Sequence, residues 1–553
     1  MAAIIPFSVF SRDTVLNLMS SQTMDALVIG GGITGAGIAL DMASRGLRVC
    51  LIDKQDFAGG TSSRSTKLIH GGLRYLKQLE FGLVKEVGRE RNIVYKNAPH
   101  LVTPEYMLLP IIEKGSLSKL LASIALYIYE RLAGVKPAES RRMLSKSETE
   151  TQEPLLDKEI LKGGALYFEY RTDDARLVIE VLKTANSYGA LCINYASATD
   201  FIYENNIVKG VLIKDHLNNK EHTIKAKYCI NAAGPWVDEL REKDHSLKGK
   251  RLHHTKGVHL VVPHSRLPIK QSVYFDSPDG RMIFAIPRAG TTYIGTTDTE
   301  YKGPLENPLV SKQDVDYLLN AVNKLFPTVN LVTADINSSW AGLRPLIHQD
   351  GKSPSELSRK DEIFIAPSGL ISIAGGKLTG YRMMAKRITD LVMKQLVKDE
   401  KIAFKECITH TTSISGGEFS LAHSLEDFIE QMTLNAKTIG ANKAQVVALV
   451  SKYGSHTDTI IKKAITYFSE GISAEKSIIL AEIKYAIKYE MVITLSDFLI
   501  RRTGRLFFER ETLAESVPIV LEEMAGILKW SDSEKQKNRD DFQVEFLKVV
   551  EFR

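Results

Sequence analysis

Three glycines, Gly30, Gly32 and Gly35, stand in G-x-G-x-x-G spacing ahead of an acid, Asp53. Glycines so spaced can cradle a dinucleotide. Gly30 permits a tight turn, Gly32 lets a pyrophosphate approach the backbone, and Gly35 allows a helix to pack closely on a strand. The helix that follows offers free N–H groups and the positive end of its dipole to phosphates. Asp53 can accept hydrogen bonds from a ribose. Past it, residues 55–76 read QDFAGGTSSRSTKLIHGGLRYL, small hydroxyl and glycine residues that lead to Lys67, His70, Arg74 and Tyr75. Such a loop can follow the pyrophosphate and ribityl chain of a flavin and bring cations near its ring. For the glycines alone, a Gly-rich turn in an ordinary α/β domain is the competing reading.

The elements that would position these residues are legible around them. Ala26 to Ile29 is an apolar run read as a buried strand; Ala36, Ala39 and Ala43 mark a small-residue helix; Val49 to Ile52 is a second strand ending at Asp53. Strand, helix, strand and acid arriving in register favour the nucleotide reading. From Ala165 to Ala190 the pattern is strand, turn and helix, with Thr172, Asp173 and Asp174 at the helix start. The two aspartates could be catalytic. Because Ala175, Leu177, Val178 and Val181 continue at once as a helical face, capping is the stronger reading. Between Lys250 and Thr299, alternating stretches such as HLVV, MIFAI and TYIG predict a sheet able to wall a substrate cavity. After about residue 396 strands give way to amphipathic helices, for example Ile478 to Tyr489 and Leu495 to Ile500. The expected fold is α/β. An extension (1–24) leads into a Rossmann-like nucleotide-binding domain with an inserted antiparallel-sheet substrate domain (25–395), followed by a C-terminal all-α domain (396–553).

Composition excludes several classes. A chain of 553 residues exceeds a single core, and 44% hydrophobic with 25% charged residues describes a globular protein, not a disordered one. A net charge of +6 without any block of like charges excludes a nucleic-acid arm and suggests a mild preference for anionic substrates or surfaces. Cys50, Cys192, Cys229 and Cys407 form no C-x-x-C pair, and Cys50 falls in a buried strand, so reduced thiols are expected, with no metal site. The leader to Met24 has one short apolar run before Arg12 and Asp13 and no basic start, so it reads as neither signal peptide nor transit sequence; a cytoplasmic location is expected. Leu117, Leu120, Leu121, Ile124, Ile128 and Leu132 fall on one helical face, with Tyr127 and Tyr129 nearby and Lys119, Lys136, Arg141, Arg142 and Lys146 around them. The stretch is too short to span a bilayer. An amphipathic helix in the membrane interface and a helix packed on the protein's own core both fit it.

Five further motifs narrow the chemistry. Together with TSSRSTKLIHGGLRYL, the segments NAAGPWVD (231–238), IGTTD (294–298), WAGLRPL (340–346) and IAGGKLTGYR (373–382) make the chain resemble the FAD-dependent aerobic glycerol-3-phosphate dehydrogenase family, and TLSDFLIRRT (494–503) extends the resemblance into the tail. The resemblance implies FAD as cofactor and sn-glycerol 3-phosphate as substrate. The secondary alcohol is oxidised to dihydroxyacetone phosphate, and electrons pass to membrane quinone from a peripheral site on the cytoplasmic face. A soluble oxidase releasing hydrogen peroxide is the alternative, since acceptor access is not written in the residues; a homodimer is the implied assembly.

Three tasks follow from the resemblance. Arg344, Arg74 and Lys377 are matched to phosphate anchoring, by charge-assisted hydrogen bonds. His70 is the first candidate base, with Lys256 or His259 of the HTKGVH segment and water as alternatives; Tyr75 positions the substrate, beside Lys256 and His259. Thr61, Ser62, Lys67, Leu68, the Ala233-Gly234-Pro235 turn, and Gly375, Gly376, Leu378 and Thr379 are expected to approach the flavin, glycine letting backbone N–H groups come close.

Overall fold

A computed structural model describes residues 4–70, 80–116, 118–135, 139–348, 361–400, 403, 405–420 and 422–552. Two large sheets carry the architecture among them. The first runs in the order Glu362–Ile365, Ile371–Ala374, Glu221–Asn231, Met24–Ile29, Val49–Ile52, Leu191–Ile193. Its central strands are parallel: Met24–Ile29 pairs on one side with Glu221–Asn231 and on the other with Val49–Ile52. Parallel strands covered on both faces read as unbroken apolar runs, and Ala26 to Ile29 and Val49 to Ile52 are buried throughout. The helix Ile33–Ser44 covers one face, packed against Asp174–Ser187 and Tyr381–Glu400. This is the expected strand-helix-strand unit, with boundaries within a few residues of those read from the sequence.

The second sheet stands over the first as a wall. Leu252–Pro263 pairs antiparallel with Ser338–Ile347 and with Thr291–Gly295, and Val102–Ile112 pairs antiparallel with Leu161–Thr172. HLVV, MIFAI and TYIG all fall in its strands. From Leu425 onward the described elements are helices and helical turns. Ile478 to Tyr489 lies inside the helix Ala474–Tyr489, while the expected helix from Leu495 is a wide π-type turn over Asp497–Arg502. The helix Tyr381–Glu400 passes through the 395/396 division without a break.

The helix Lys119–Ala133 does not follow either single reading of its apolar face. Ala122, Leu126 and Tyr129 are buried, and Ile128 and Leu132 pack against the same core. Leu120, Leu121, Ile124 and Tyr127 are exposed, Leu120 by 70%. The helix therefore has an apolar underside and an apolar outer face. Among the described residues no helix is long and apolar enough to cross a membrane.

Candidate active site

A cavity of about 390 Å³ is lined by the glycine turn and by strands of the second sheet. That volume lies within the range of small-molecule sites. Gly30, with φ at +114°, makes the tight turn; a Cβ there would lie 2.5 Å from the carbonyl oxygen of Ala232. A Cβ on Gly35 would lie 1.8 Å from the carbonyl oxygen of Gly30, so only glycine lets this helix sit on its strand. Gly35 itself does not line the cavity; it sets the turn that Gly30 and Gly32 present to it. The Ser62 hydroxyl accepts a hydrogen bond from the Ile33 N–H at 3.0 Å, and Thr61 donates to the Leu343 carbonyl at 2.7 Å. These contacts tie the hydroxyl loop to the helix N-terminus on one side and to the second sheet on the other.

Asp53 lines the same cavity and accepts from the N–H groups of Gly31, at 2.6 Å, and Gln55, at 2.8 Å. Burial raises its carboxyl to about 6 despite those hydrogen bonds. A ribose hydroxyl donates best to the ionised form. Cofactor affinity is therefore expected to be level above pH 6 and to fall as the pH drops below it and the carboxyl takes a proton. Titration of the apoprotein with FAD between pH 5 and 8 measures this, and Asp53→Asn should flatten the profile.

The lining also includes Leu68, Gly234, Gly375, Gly376, Leu378 and Thr379, and with them His70, His259, Arg344 and Lys377. Gly234, Gly375 and Gly376 all have positive φ, as turns that bring backbone against a ligand require. The Arg344 guanidinium is held by Asp298 at 3.0 Å and by the Thr296 hydroxyl at 3.0 Å, which fixes its direction within the cavity wall. His259 is stacked on Trp340, with ring centroids 4.8 Å apart, and its Nε2 lies 3.0 Å from the Thr66 hydroxyl. Burial, and then Arg344 and Lys67, push its imidazole well below the usual histidine range, so it stays neutral. His70 packs its ring edgewise against Phe284.

Two expected cavity residues are turned away. Lys256 donates to Asp314 at 2.6 Å and to the Leu309 carbonyl at 3.1 Å, because its position on the strand points it at the helix beginning at Lys312. Lys67 is buried against Asp174 and the Ser63 carbonyl, and acts on the loop rather than within the cavity. Asp173 caps its helix by accepting from the Arg176 N–H at 3.1 Å, as read from the sequence. Asp174 adds a task that pattern did not suggest: it gathers Ser65 and Lys67 onto the helix start. Arg74 and Tyr75 lie outside the described residues. Sequence reasoning missed Gln55, Ala196 to Ala198 and Trp236 at the nucleotide end, and Tyr167, Tyr274, Met282 and Phe284 as an apolar wall. Alternation along the strands carried a signal for the aromatic wall; nothing local marked the others.

Residues 25–383 match the FAD dependent oxidoreductase family, and residues 407–535 match the C-terminal domain of alpha-glycerophosphate oxidase. Over 538 residues the chain is 51% identical to the aerobic glycerol-3-phosphate dehydrogenase of Bacillus subtilis (strain 168), covering 97% of each chain. The chain belongs to the FAD-dependent aerobic glycerol-3-phosphate dehydrogenase family. The Staphylococcus aureus (strain USA300) member is 50% identical over 531 residues, 95% of each chain. The X-ray structure of the glycerol-3-phosphate dehydrogenase from Bacillus halodurans complexed with FAD superposes with a TM-score of 0.84 at 44% identity, covering 99% of both chains. The L-alpha-glycerophosphate oxidase of Mycoplasma pneumoniae, with FAD bound, shares the fold at a TM-score of 0.55 and 18% identity, over 67% of this chain and 95% of that one. FAD is the family's cofactor, and this chain's residues fit it. The glycine turn has no room for a Cβ, Gly32, Ile33 and Thr34 at the helix N-terminus line the cavity, and so does the buried acid Asp53.

Proposed function

We propose that this protein oxidises sn-glycerol 3-phosphate to dihydroxyacetone phosphate and passes the electrons to a membrane quinone. The observation that carries the reading is one cavity lined both by the glycine turn and Asp53 and by His70, Arg344 and Lys377. When bound, the flavin supplies the two-electron acceptor for the carbinol hydride. The chain's own residues do the rest. Arg344, aimed by Asp298 and Thr296, holds the phosphate dianion, with Lys377 beside it. His70 takes the hydroxyl proton as the C–H hydride leaves. His259, kept neutral and bonded to the Thr66 hydroxyl, does not compete for the substrate's proton. The aromatic wall of Tyr167, Tyr274 and Phe284 limits water at the reacting carbon.

An anaerobic absorbance titration tests this reading. Glycerol 3-phosphate should bleach the oxidised flavin band of the holoenzyme, and a short-chain quinone should restore it faster than oxygen does. A band that persists overturns the substrate; preferential recovery with oxygen overturns the acceptor and favours an oxidase releasing hydrogen peroxide.

The helix Lys119–Ala133 supports the membrane side of the proposal. Its outer face presents Leu120, Leu121, Ile124 and Tyr127, with Lys119, Arg131, Arg142 and Lys146 exposed around them. Apolar residues rimmed by cations suit an anionic lipid interface. Its underside shares one apolar cluster with Tyr167 and Tyr274 of the cavity wall. The protein is expected to sediment with vesicles containing phosphatidylglycerol, and Leu120→Glu/Ile124→Glu to stay in the supernatant while keeping its rate with a soluble dye acceptor. Equal sedimentation of both proteins would count against this surface.

A further inference from the structure

The loop that leaves Asp53 is held from an unexpected direction. Asp56, completely buried three residues on, receives Arg502 through a fork, at 2.8 and 2.9 Å, and Arg501 through its Nε. Both arginines belong to the helical part of the chain, in the π-type turn Asp497–Arg502. Burial alone would raise the Asp56 carboxyl, yet Arg502 and Arg501 hold it below the usual carboxylate range. Each arginine is itself fixed. Arg502 also donates to the Glu490 carbonyl at 2.9 Å, and Arg501 to Asp497 at 2.7 Å.

The same cluster reaches the other strand that borders the cradle. Asn194 donates to Asp56 at 3.0 Å and to the Met491 carbonyl at 3.2 Å, and the Tyr195 hydroxyl donates to Asp497 at 2.6 Å. Backbone bonds then knit the two segments: Tyr195 N–H to the Gln55 carbonyl at 2.9 Å, and Ala196 N–H to the Asp53 carbonyl at 2.7 Å. Asp53, Gln55 and Ala196 all line the nucleotide end of the cavity, whereas Asp56, Arg501 and Arg502 do not. No cavity-lining group is needed to satisfy the two arginines. Among the described residues their hydrogen bonds reach the cradle through Asp56.

We propose that Arg501 and Arg502 are positioning residues for FAD: through Asp56 the helical domain holds the 53–56 loop against Asn194 to Ala196, and so sets the ribose-binding end of the cradle. The proposal rests on the dinucleotide reading of that cradle and not on the identity of the substrate. Coupling of this kind is reciprocal, so bound FAD must in turn steady the π-type turn.

Hydrogen exchange of the wild-type chain, with and without FAD, reads that reciprocity without any substitution. Peptides covering 494–503 should gain protection on FAD addition although they do not line the cavity. Unchanged exchange there, with protection confined to the cradle, overturns the proposal. In variants, Arg501→Ala and Arg502→Ala should raise the FAD dissociation constant at least tenfold and speed FAD release. Flavin reduction at saturating FAD and substrate should stay within about twofold. Arg501→Lys should recover part of the affinity. Arg505→Ala supplies the contrast, because Arg505 pairs with Glu482 and Glu509 inside the helical domain and makes no contact with the loop. It should lower the melting temperature while leaving FAD affinity within twofold. If Arg505→Ala loosens FAD as much as Arg502→Ala, the effect is general instability and the proposal fails.

Discussion

Arg344→Ala is expected to raise the KM for glycerol 3-phosphate about 100-fold while the purified protein keeps its flavin. A charge-assisted hydrogen bond contributes about 1.5–3 kcal/mol, and each 1.4 kcal/mol is a factor of ten, so losing a guanidinium that can fork to a phosphate accounts for such a change. The effect is held down by Asp298, which already shares the positive charge at 3.0 Å. It should fall on binding because the phosphate carries the same charge before and after hydride leaves the neighbouring carbon. Arg344→Lys keeps the charge but loses the fork, and an intermediate KM is expected. Flavin content is the internal control: the Arg344 guanidinium is held by Asp298 and Thr296, while the glycine turn is tied to Asp53 and Ser62. An unchanged KM would remove the phosphate from Arg344 and with it the proposed orientation of the substrate.

His70→Ala is expected to slow anaerobic flavin reduction about 10²- to 10⁴-fold, the usual worth of a positioned base, with substrate affinity changed by no more than a few-fold. Stopped-flow reduction at saturating glycerol 3-phosphate separates the two. The neighbouring His259 gives the comparison its meaning. Burial and two nearby cations depress its imidazole, so it is a weak proton acceptor, and it is held between Trp340 and Thr66. His259→Asn should therefore affect binding more than the rate of reduction. Fast reduction in His70→Ala would pass the role of base to His259 or to water.

Much of the cradle was legible because its constraints are local. A turn with no room for a Cβ must be glycine, a doubly covered parallel strand must be apolar, and a helix start prefers Asp173; each leaves its mark within a few residues. The failures share the opposite cause. Lys256 and Lys67 have the right charge and lie in the right segments, yet each meets a buried carboxylate, Asp314 or Asp174, from an element distant in sequence. The direction of a long side chain is decided by such a partner, which a motif does not contain. The helix Lys119–Ala133 was undecided for a related reason: apolar residues cover more of its circumference than one face, and only the packed structure divides Leu126 from Leu120. Asp56 looked like an ordinary loop acid beside Asp53; its partners lie 445 and 446 residues away.

The order of strands in the first sheet also bears on how the enzyme is made. Met24–Ile29 emerges early during synthesis, but its outer neighbour Glu221–Asn231 follows almost two hundred residues later, and Ile371–Ala374 completes that side of the sheet later still. Cavity walls drawn from Ile29 through Thr379 cannot close on a ribosome-bound fragment that has not yet released the latter. On one edge the N-terminal strand must wait for a partner far downstream, although Val49–Ile52 pairs with its other edge at once, and such non-local pairing slows folding and exposes the nascent chain to misassociation. Loading with FAD is thus confined to chains translated past residue 379 of 553, and a truncated product ending before residue 371 would have no complete pocket with which to capture the cofactor.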